Sequence, residues 1–276
     1  MRIIVNADDF GRHEKINEAV EKALHEGCLR SATIMPGGKA FNHGVEVAKR
    51  NPDLGVGIHL TLVNGFPILP PGEIPSLVAE NGAFYDDYGA FMKRYATGKI
   101  RLEEIRSELA AQIAKVQGTG LELTHLDSHQ HLHHLPGILG IVLKLASVAN
   151  IKRLRFSRGR LAEDLFRGHI LGRVGLSSLA RIGAQMAKRK GFAMPDHFAG
   201  IVAGEAVTEK YLFRLFEHIG KGITEIMLHP GTDNAVLQSE CRWEHDFEAE
   251  LRAVTSARVL KTMKTRGIEA VSFRSL

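Results

Sequence analysis

Segments that read as short strands alternate with segments that read as helices from one end of the chain to the other. The strand-like stretches include RIIVNADD, LGVGIHLTL, LTHLDSHQH and ITEIMLHPG, with apolar residues at helical spacing between them. About seven or eight such alternations predict a parallel sheet, open or closed. No glycine-rich dinucleotide fingerprint follows the first strand, so we expect an α/β fold with a distorted (β/α) barrel of about seven to eight strands. No repeat or linker divides the chain, and residues 1–276 are predicted to form a single domain.

Three other stretches complete this pattern. RLRFSR is predicted as the fifth strand and FAMPDHFAGI as the sixth, the latter with an irregular course. The region from Asn64 to Lys99 contains PILPPGEIPSL, which is too rich in proline for regular structure. We therefore predict a long loop there.

Acidic and histidine side chains collect where the predicted strands end. They are Asp8 and Asp9 after strand one, His59 in GIHL, Asp127, His129, His131 and His133 in DSHQHLH, and His229 in MLHPG. Barrel enzymes carry their chemistry at the carboxyl ends of the strands, so these side chains are expected to meet. If the chain stays extended beyond Asp127, alternation points the three histidines of DSHQHLH to the same side as Asp127.

This collection of side chains favours a metal site. Adjacent carboxylates such as Asp8 and Asp9 repel each other and are costly to bury without a positive partner. Imidazole and carboxylate together suit a divalent ion, zinc by its nitrogen preference and magnesium or manganese where oxygen ligands dominate. A single histidine is more often hydrogen-bonded or solvated than a ligand, but here four strand ends each supply Asp or His.

Charge and cysteine content limit the class of protein. Cys28 and Cys241 are too few for a disulfide framework, no apolar run reaches membrane-spanning length, and the immediate strand pattern leaves no room for a signal peptide. A cytoplasmic location is expected. The net charge of +5 is local, because Lys152 to Lys190 holds eleven Lys and Arg against two acids. That asymmetry indicates an anionic partner, such as a substrate phosphate, a nucleic acid or a membrane surface, or simply an exposed basic segment.

Residues 170–190 read as a helix with an apolar face and a basic end. The face would carry Leu171, Val174, Leu179, Ile182 and Met186, and the end carries Lys188, Arg189 and Lys190. Such a helix suits an anionic bilayer, which predicts peripheral contact with the inner membrane face. A lid helix packed on the barrel would show the same apolar stripe.

The motifs NADDFG, GIHLTL, THLDSHQHLH and MLHPG, in this order, resemble those of the YdjC-like carbohydrate deacetylases, which include chitooligosaccharide deacetylase. VNGFPILPPGEIPSLVAENGAF and DHFAG further resemble the hopanoid-biosynthesis-associated (HpnK-like) branch, whereas Arg158 to Arg189 matches no part of the pattern. The resemblance implies a barrel related to polysaccharide deacetylases. It also implies metal-dependent removal of an N-acetyl group from an amino sugar, in an oligosaccharide or a glycolipid.

The resemblance implies roles for individual residues. Asp9, His59 and His129 match the family's metal ligands, and Asp8 matches the general base. The family's metal is commonly magnesium, whereas two imidazoles suit zinc better. Either divalent ion is therefore expected as the cofactor.

The remaining polar residues are assigned from their positions in the pattern. His229 is the candidate general acid for the leaving amine, against the alternative of a structural histidine, and Arg155 would orient Asp8 or hold an oxyanion. Contacts that fix ligand tautomers or reach the substrate are expected from Asp127, His131, His133, Asp196 and His197.

Two other functions fit the same residues. A metal-dependent phosphoesterase would use similar ligands, usually with a second ion about 4 Å away and more carboxylates. A non-catalytic sugar-binding barrel would have no need of Asp8 beside a complete ligand set. No nucleic-acid partner is expected, and the oligomeric state stays open, with a homodimer as one expectation.

Overall fold

The computed structural model describes residues 1–157, 170–201 and 206–276, and its centre is a curled parallel sheet. The strands are β1 (Arg2–Phe10), β2 (Ser31–Ile34), β3 (Gly55–Leu60), β4 (Leu123–Ser128), β5 (His197–Ala199), β6 (Ile223–Leu228) and β7 (Glu269–Ala270). Their order across the sheet is β4-β3-β2-β1-β6-β5, with β7 beside β1, and every pair is parallel. The predicted α/β fold on a curled parallel sheet is therefore confirmed.

Helices join successive strands. Within the described residues the α-helices are α1 (Glu14–Glu26), α2 (Phe41–Arg50), α3 (Tyr88–Ala96), α4 (Leu102–Gln117), α5 (Ile138–Val148), α6 (Ile170–Arg189), α7 (Glu209–His218), α8 (Asn234–Cys241), α9 (Phe247–Thr255) and α10 (Ala257–Arg266). The helical spacing of apolar residues in α1 is confirmed, because all the residues that define it are buried, namely Ile16, Ala19, Val20, Ala23 and Leu24. No helix among the described residues is long and apolar enough to cross a membrane.

β1 occupies the middle of the sheet. One edge of this strand pairs with β6 from Arg2 to Ala7, and the other pairs first with β7 and then, from Asn6 onward, with β2. Every residue from Ile3 to Phe10 is buried. Because β3 and β4 follow on the β2 side and β6 lies on the other, the carboxyl ends of these strands meet around the end of β1.

The predicted fifth strand is reduced to isolated bridges. In RLRFSR, Leu154 makes a single parallel bridge with Leu126, and Arg153 makes another with Ala193. These bridges continue the sheet beyond β4 toward the segment that leads into β5. The sheet therefore curls at this edge without a full strand to close it.

The predicted sixth strand is short, and the predicted long loop contains a helix. β5 covers three residues of FAMPDHFAGI and stops at Gly200, whose φ of +105° is outside the strand region and where a Cβ would lie 2.1 Å from the Met227 carbonyl oxygen. Within the stretch predicted as loop, Asp87 caps α3 by accepting the Gly89 and Ala90 N–H groups. Phe91 of α3 is buried, and Met92 and Tyr95 are partly buried against the core. The helical spacing of these three residues is a signal that the prediction of a long loop missed.

The helix predicted over residues 170–190 is present as α6, but its packing face differs from the predicted stripe. Ile182 and Met186 are 61% and 44% exposed. Among the described side chains of α6, residues 178–189, the buried positions are small, namely Ala180, Gly183, Ala184 and Ala187. Leu179 of the predicted stripe is partly buried against the core. A Cβ on Gly183 would lie 2.8 Å from the Leu139 side chain, so the glycine permits close contact with α5. The side chains of Leu171 and Val174, also assigned to the stripe, lie outside the described residues.

Candidate active site

The polar strand ends meet in one cavity at the carboxyl edge of the sheet, as predicted. The cavity has a volume of about 360 Å³, and its lining includes Asp8, His59, His129, His131 and His229. The first of these ends β1, the second ends β3, the next two follow β4, and the last follows β6. Five of the predicted site residues therefore face a common space.

Asp9, His59 and His129 form a compact group with the properties of a metal site. Asp9 Oδ1 lies 3.3 Å from His59 Nε2 and 3.0 Å from His129 Nδ1. Within the described part of the chain, neither Asp9 Oδ1 nor His59 Nε2 has a hydrogen-bond partner, although both atoms are buried. Buried polar atoms without a hydrogen-bond partner lower the stability of the fold unless a further group, such as a bound ion, interacts with them. One carboxylate and two imidazoles fit a divalent cation.

His59 is held in the orientation that a ligand needs. Its Nδ1 donates to Asp127 Oδ1 at 2.7 Å, and the Thr33 hydroxyl donates to Asp127 Oδ2 at 3.0 Å. Burial opposes a proton on this ring, but Asp127 and Asp9 outweigh it and raise the pKa of His59 to about 10. Nε2 points at Asp9, so a bound cation would take the place of the proton at that atom. The hydrogen bond to Asp127 thus holds the His59 ring in this orientation.

Asp9 reaches the site through an unusual backbone conformation. Its φ is +59°, in the left-handed region that residues other than glycine seldom adopt. Its Oδ2 forms a 3.0 Å ion pair with Arg12 Nη1, which leaves Oδ1 for the two histidines. Burial acts to raise the pKa of Asp9, but the charges of His129 and Arg12 hold it well below its usual value. The carboxylate is therefore ionised and ready to bind a cation.

Asp8 lies beside this group but has a different partner. Arg155, fully buried, binds both oxygens of Asp8 at 2.6 Å and also contacts Asp127 Oδ2 and Glu225 Oε1 at 2.6 Å. Burial, together with the charges of Asp8 and Asp127, overcomes Arg155 and raises the pKa of Glu225 to about 7. Arg155 thus orients Asp8, one of the two roles predicted for it.

A second combination of side chains, Asp8, His59 and Asp127, also brings possible ligand atoms together. Its oxygens already accept hydrogen bonds from Arg155, and those of Asp127 also contact Thr33 and His59. The Asp9 group retains unpartnered atoms, and we therefore assign the cation to it.

The histidines of DSHQHLH do not continue an extended strand. β4 ends at Ser128, and residues 129–134 form a 3₁₀ turn in which Gln130 and His131 have φ of 53° and 57°. The prediction that alternation points His129, His131 and His133 to one side is therefore wrong. His131 still lines the cavity, with Nδ1 3.0 Å from the Ser157 hydroxyl.

His133 lies behind the cavity wall. Its Nε2 donates to the Arg155 carbonyl oxygen at 3.0 Å, and its Nδ1 accepts from the Ser128 hydroxyl. Burial lowers the pKa of His133 to about 4, so the ring is neutral. His133 therefore supports the backbone that presents Arg155.

His229 lines the same cavity as His59 and His129. Its ring contacts the edges of Trp243 and His245, with centroid distances of 5.0 and 5.7 Å. Its backbone N–H donates to Glu250 Oε2, and Glu250 Oε1 accepts the Val207 N–H at 2.7 Å. The position suits the predicted general acid. Sequence reasoning did not identify the three neighbours that hold His229, which are Trp243, His245 and Glu250.

Asp196 and His197 do not join the site. Asp196 accepts the Ile223 N–H at 2.8 Å, and His197 Nε2 lies 3.3 Å from the Lys221 carbonyl oxygen. Ile223 pairs with Arg2, at the end of β1 opposite Asp8. The predicted contact of these two residues with the site is wrong, because β5 begins at His197 instead of ending there.

Other buried polar residues of the site were absent from the sequence prediction. Glu225 lies in the middle of the apolar strand ITEIML, and Asn6 Nδ2 donates to Asp8 Oδ1 at 2.9 Å from within β1. A charged or amide side chain inside a buried strand is the signal that could have identified both.

The chain is similar to known proteins along its whole length. The family model for YdjC-like proteins matches residues 2–265. A carbohydrate deacetylase from Brevibacillus brevis is 35% identical over 278 residues and 100% of both chains, and one from Geobacillus stearothermophilus is 32% identical over 98% of this chain and 96% of its own. A crystal structure from Enterococcus faecalis V583, named as a candidate cellobiose-phosphate cleavage protein, superposes with a TM-score of 0.78 at 27% identity, covering 99% of this chain and 98% of its own.

Proposed function

The chain belongs to the family of YdjC-like proteins, and we propose that it hydrolyses the N-acetyl group of an amino sugar with the help of a divalent metal ion. Curated relatives along the whole chain carry the name carbohydrate deacetylase, which supports deacetylation of a carbohydrate. The amino sugar would belong to an oligosaccharide or a glycolipid.

One observation carries the proposal. Asp9 Oδ1 and His59 Nε2 are buried and unpartnered among the described residues, and both converge with His129. His59 and His129 border a cavity that Asp8 and His229 also line. Ligand atoms, a base and an acid thus surround a single space large enough for a small molecule.

Amide hydrolysis needs a nucleophilic water, a polarised carbonyl and a proton for the leaving amine. A divalent ion bound to Asp9, His59 and His129 supplies Lewis acidity for the first two. Asp8 accepts a proton from water, and Arg155, which binds both of its oxygens, fixes the position of the carboxylate. His229 donates a proton to the amine nitrogen as the C–N bond breaks. The two imidazoles favour zinc and the family resemblance favours magnesium, so the proposal covers both ions.

A phosphoesterase mechanism has less support. It usually requires a second ion about 4 Å from the first. The neighbouring ligand combination shares His59 with the first group, and its carboxylates are engaged by Arg155. A sugar-binding protein without activity would not need the clamp on Asp8.

The proposal also includes a place in the cell. We place the protein in the cytoplasm, with peripheral contact between α6 and the inner membrane face. The exposure of Ile182 and Met186 beside a basic helix end supports this contact.

The test combines metal analysis of the purified protein with an assay for free amine and acetate on N-acetylglucosamine oligomers and N-acetylated glycolipids. We expect one divalent ion per chain, and acetate release that a chelator abolishes and added metal restores. Release that persists after complete metal removal, or a metal-loaded protein without activity on any N-acetylated sugar, would contradict the proposal.

A further inference from the structure

A second group of possible metal ligands lies behind the candidate general acid. His229, His245 and Glu250 each bring one ligand atom to within 4.8 Å of the other two, and none of them belongs to the Asp9 group. His229 lines the cavity of the candidate active site, whereas His245 and Glu250 are buried, with 5% and 1% of their surface exposed. The group therefore extends from the cavity into the protein interior.

His245 contributes a buried nitrogen that lacks a hydrogen-bond partner. Among the described residues nothing forms a hydrogen bond with its Nε2, which lies 3.3 Å from Glu250 Oε2. Two ligands of a tetrahedral zinc ion, each bonded at about 2.1 Å, are separated by about 3.4 Å. The two atoms are thus spaced as a pair of ligands to one ion would be. An unpartnered buried atom of this kind also marks the Asp9 group.

The imidazole of His245 is held in this orientation by its neighbours. Trp243 stacks on it with a centroid distance of 4.0 Å, and Phe247 meets it edge to face at 4.9 Å. The Gln238 side chain donates to the His245 carbonyl oxygen at 2.9 Å. A ring fixed on both sides presents its nitrogen to an ion without a further loss of side-chain freedom.

Glu250 keeps the capacity to bind a cation. Its Oε1 accepts the Val207 N–H at 2.7 Å, and its Oε2 accepts the His229 N–H. Each carboxylate oxygen has two lone pairs, so Oε2 can bind an ion while it accepts this hydrogen bond. Burial acts to raise the pKa of Glu250, but His245 and His229 hold it below its usual value. The carboxylate is therefore ionised.

The charge around this carboxylate differs from the charge around Asp8. Arg155 forms an ion pair with Asp8 at 2.6 Å and supplies a fixed positive charge. The two hydrogen bonds that Glu250 accepts come from neutral backbone groups. Its negative charge is thus left to attract a cation, whereas that of Asp8 is compensated.

We propose that His229, His245 and Glu250 form a second zinc site and that the ion bound there blocks the general acid. Two imidazoles and one carboxylate are a donor set that zinc prefers. A histidine nitrogen that binds an ion carries no proton, so His229 could not protonate the leaving amine. This block rests on the proposed deacetylase function, whereas the zinc site itself does not.

The second site should fill only when zinc is in excess. It contains one unpartnered buried atom, His245 Nε2, where the Asp9 group contains two, and its His229 is only partly buried. The Asp9 group should therefore take the first ion. Zinc would then activate the protein at low concentration and inhibit it at higher concentration.

Equilibrium dialysis against excess zinc, with metal content measured by mass spectrometry, tests the site. We expect about two ions per wild-type chain and about one in His245→Phe, which retains the ring contacts with Trp243 and Phe247 but has no ligand nitrogen. His129→Ala should lose the first ion and keep the second. His25→Phe, the same substitution at an exposed position of α1, is the matched control and should bind both.

Trp243 gives a second measurement that needs no variant, because it is the single tryptophan of the chain and is stacked on His245. Its fluorescence should change mainly as the second zinc ion binds. A wild-type chain that takes up only one ion, a second ion that survives His245→Phe, or a second ion that leaves the fluorescence of Trp243 unchanged would overturn the site.

Acetate release, measured across the same zinc concentrations, tests the block. In the wild type it should rise with the first ion and fall by about 10²–10⁴-fold as the second binds, the loss expected when an acid catalyst is removed. In His245→Phe, whatever its own rate, the fall should be absent. Release that stays constant or rises as the second ion binds would overturn the block. If no acetate is released at any zinc concentration, the proposed function and the block fail together, while the zinc site is still decided by the ion count.

Discussion

Arg155 and Asp8 form a two-point ion pair, with Nη1–Oδ2 and Nη2–Oδ1 distances of 2.6 Å. The guanidinium is fully buried and is itself fixed by Glu225 at Nε. Both oxygens of a carboxylate clamped in this way are engaged by the guanidinium. Asp9, whose Oδ1 lies 3.3 Å from His59 Nε2 and 3.0 Å from His129 Nδ1, is thus the member of the adjacent pair that we propose as a ligand.

The proposed histidine ligands and the proposed base Asp8 should respond differently to substitution. His59→Ala and His129→Ala are each expected to lose bound metal and activity together, because a three-ligand site cannot spare one ligand. Asp8→Asn should keep the metal and lose turnover by about 10²–10⁴-fold. Metal content by mass spectrometry, measured alongside acetate release, checks both results. Loss of stoichiometric metal in Asp8→Asn would show that the two carboxylates are assigned the wrong way round.

His229 should matter most for poor leaving groups. If it protonates the departing amine, His229→Ala should slow substrates with basic leaving amines by about 10²–10⁴-fold and substrates with good leaving groups much less. Rates on a series of N-acetyl aryl amines and amino sugars measure this dependence. An equal loss across the series would remove His229 from the role of acid.

Glu225 should make stability fall as pH rises. Its pKa is about 7 in the folded protein, against an ordinary value of 4.5, so the unfolded chain releases this proton first as the solution becomes less acidic. The resulting loss of unfolding free energy is absent below about pH 4.5, grows between about pH 5 and pH 7, and is complete above about pH 7. Glu225→Gln keeps an acceptor for Arg155 and does not titrate. Between pH 5 and pH 8, we expect the unfolding free energy of Glu225→Gln to rise by about 1–3 kcal/mol relative to that of the wild type.

Urea unfolding at several pH values measures this difference. Glu217→Gln, at an exposed position on α7, is the matched control and should leave the pH dependence of the wild type intact. Parallel curves for wild type and Glu225→Gln would mean that Glu225 is already ionised at pH 5.

The basic end of α6 should bind anionic membranes. Ile182 and Met186 are exposed on the side away from the barrel, and Lys188, Arg189 and Lys190 follow. Each basic residue near an anionic surface contributes about 1 kcal/mol. We expect co-sedimentation with anionic liposomes at low salt that weakens at physiological salt.

Replacing Lys188, Arg189 and Lys190 with Gln should abolish this co-sedimentation. The matched control removes the same charge from exposed positions of another helix, α10, by replacing Lys261, Lys264 and Arg266 with Gln. If the intact protein stays in the supernatant at low salt, α6 is a lid helix and does not contact the membrane.

The strand ends were predictable because a short apolar run that ends in polar residues is a local feature of the sequence. RIIVNADD and ITEIMLHPG identified β1 and β6, and with them the meeting of Asp8, Asp9 and His229. The turn after β4 was not predictable in this way. Gln130 and His131 adopt left-handed backbone without glycine or proline to mark it.

Tertiary contacts account for the other differences. The buried face of α6 is set by how closely Gly183 approaches Leu139, and no periodicity of large apolar residues reports that distance. Likewise, the pairing of Arg155 with Asp8 joins residues 147 positions apart. Such a contact follows from the sheet order and has no local signature.

The position of β1 between the two halves of the sheet has a consequence for biosynthesis. Asp9, His59 and His129, with the Asp127 that orients His59, are all translated within the first half of the chain, whereas Arg155 and His229 come later. A nascent chain therefore contains every candidate metal ligand before it contains the clamp for the base or the acid. The complete candidate site can form only after β6 has been synthesised and has paired with the remaining edge of β1.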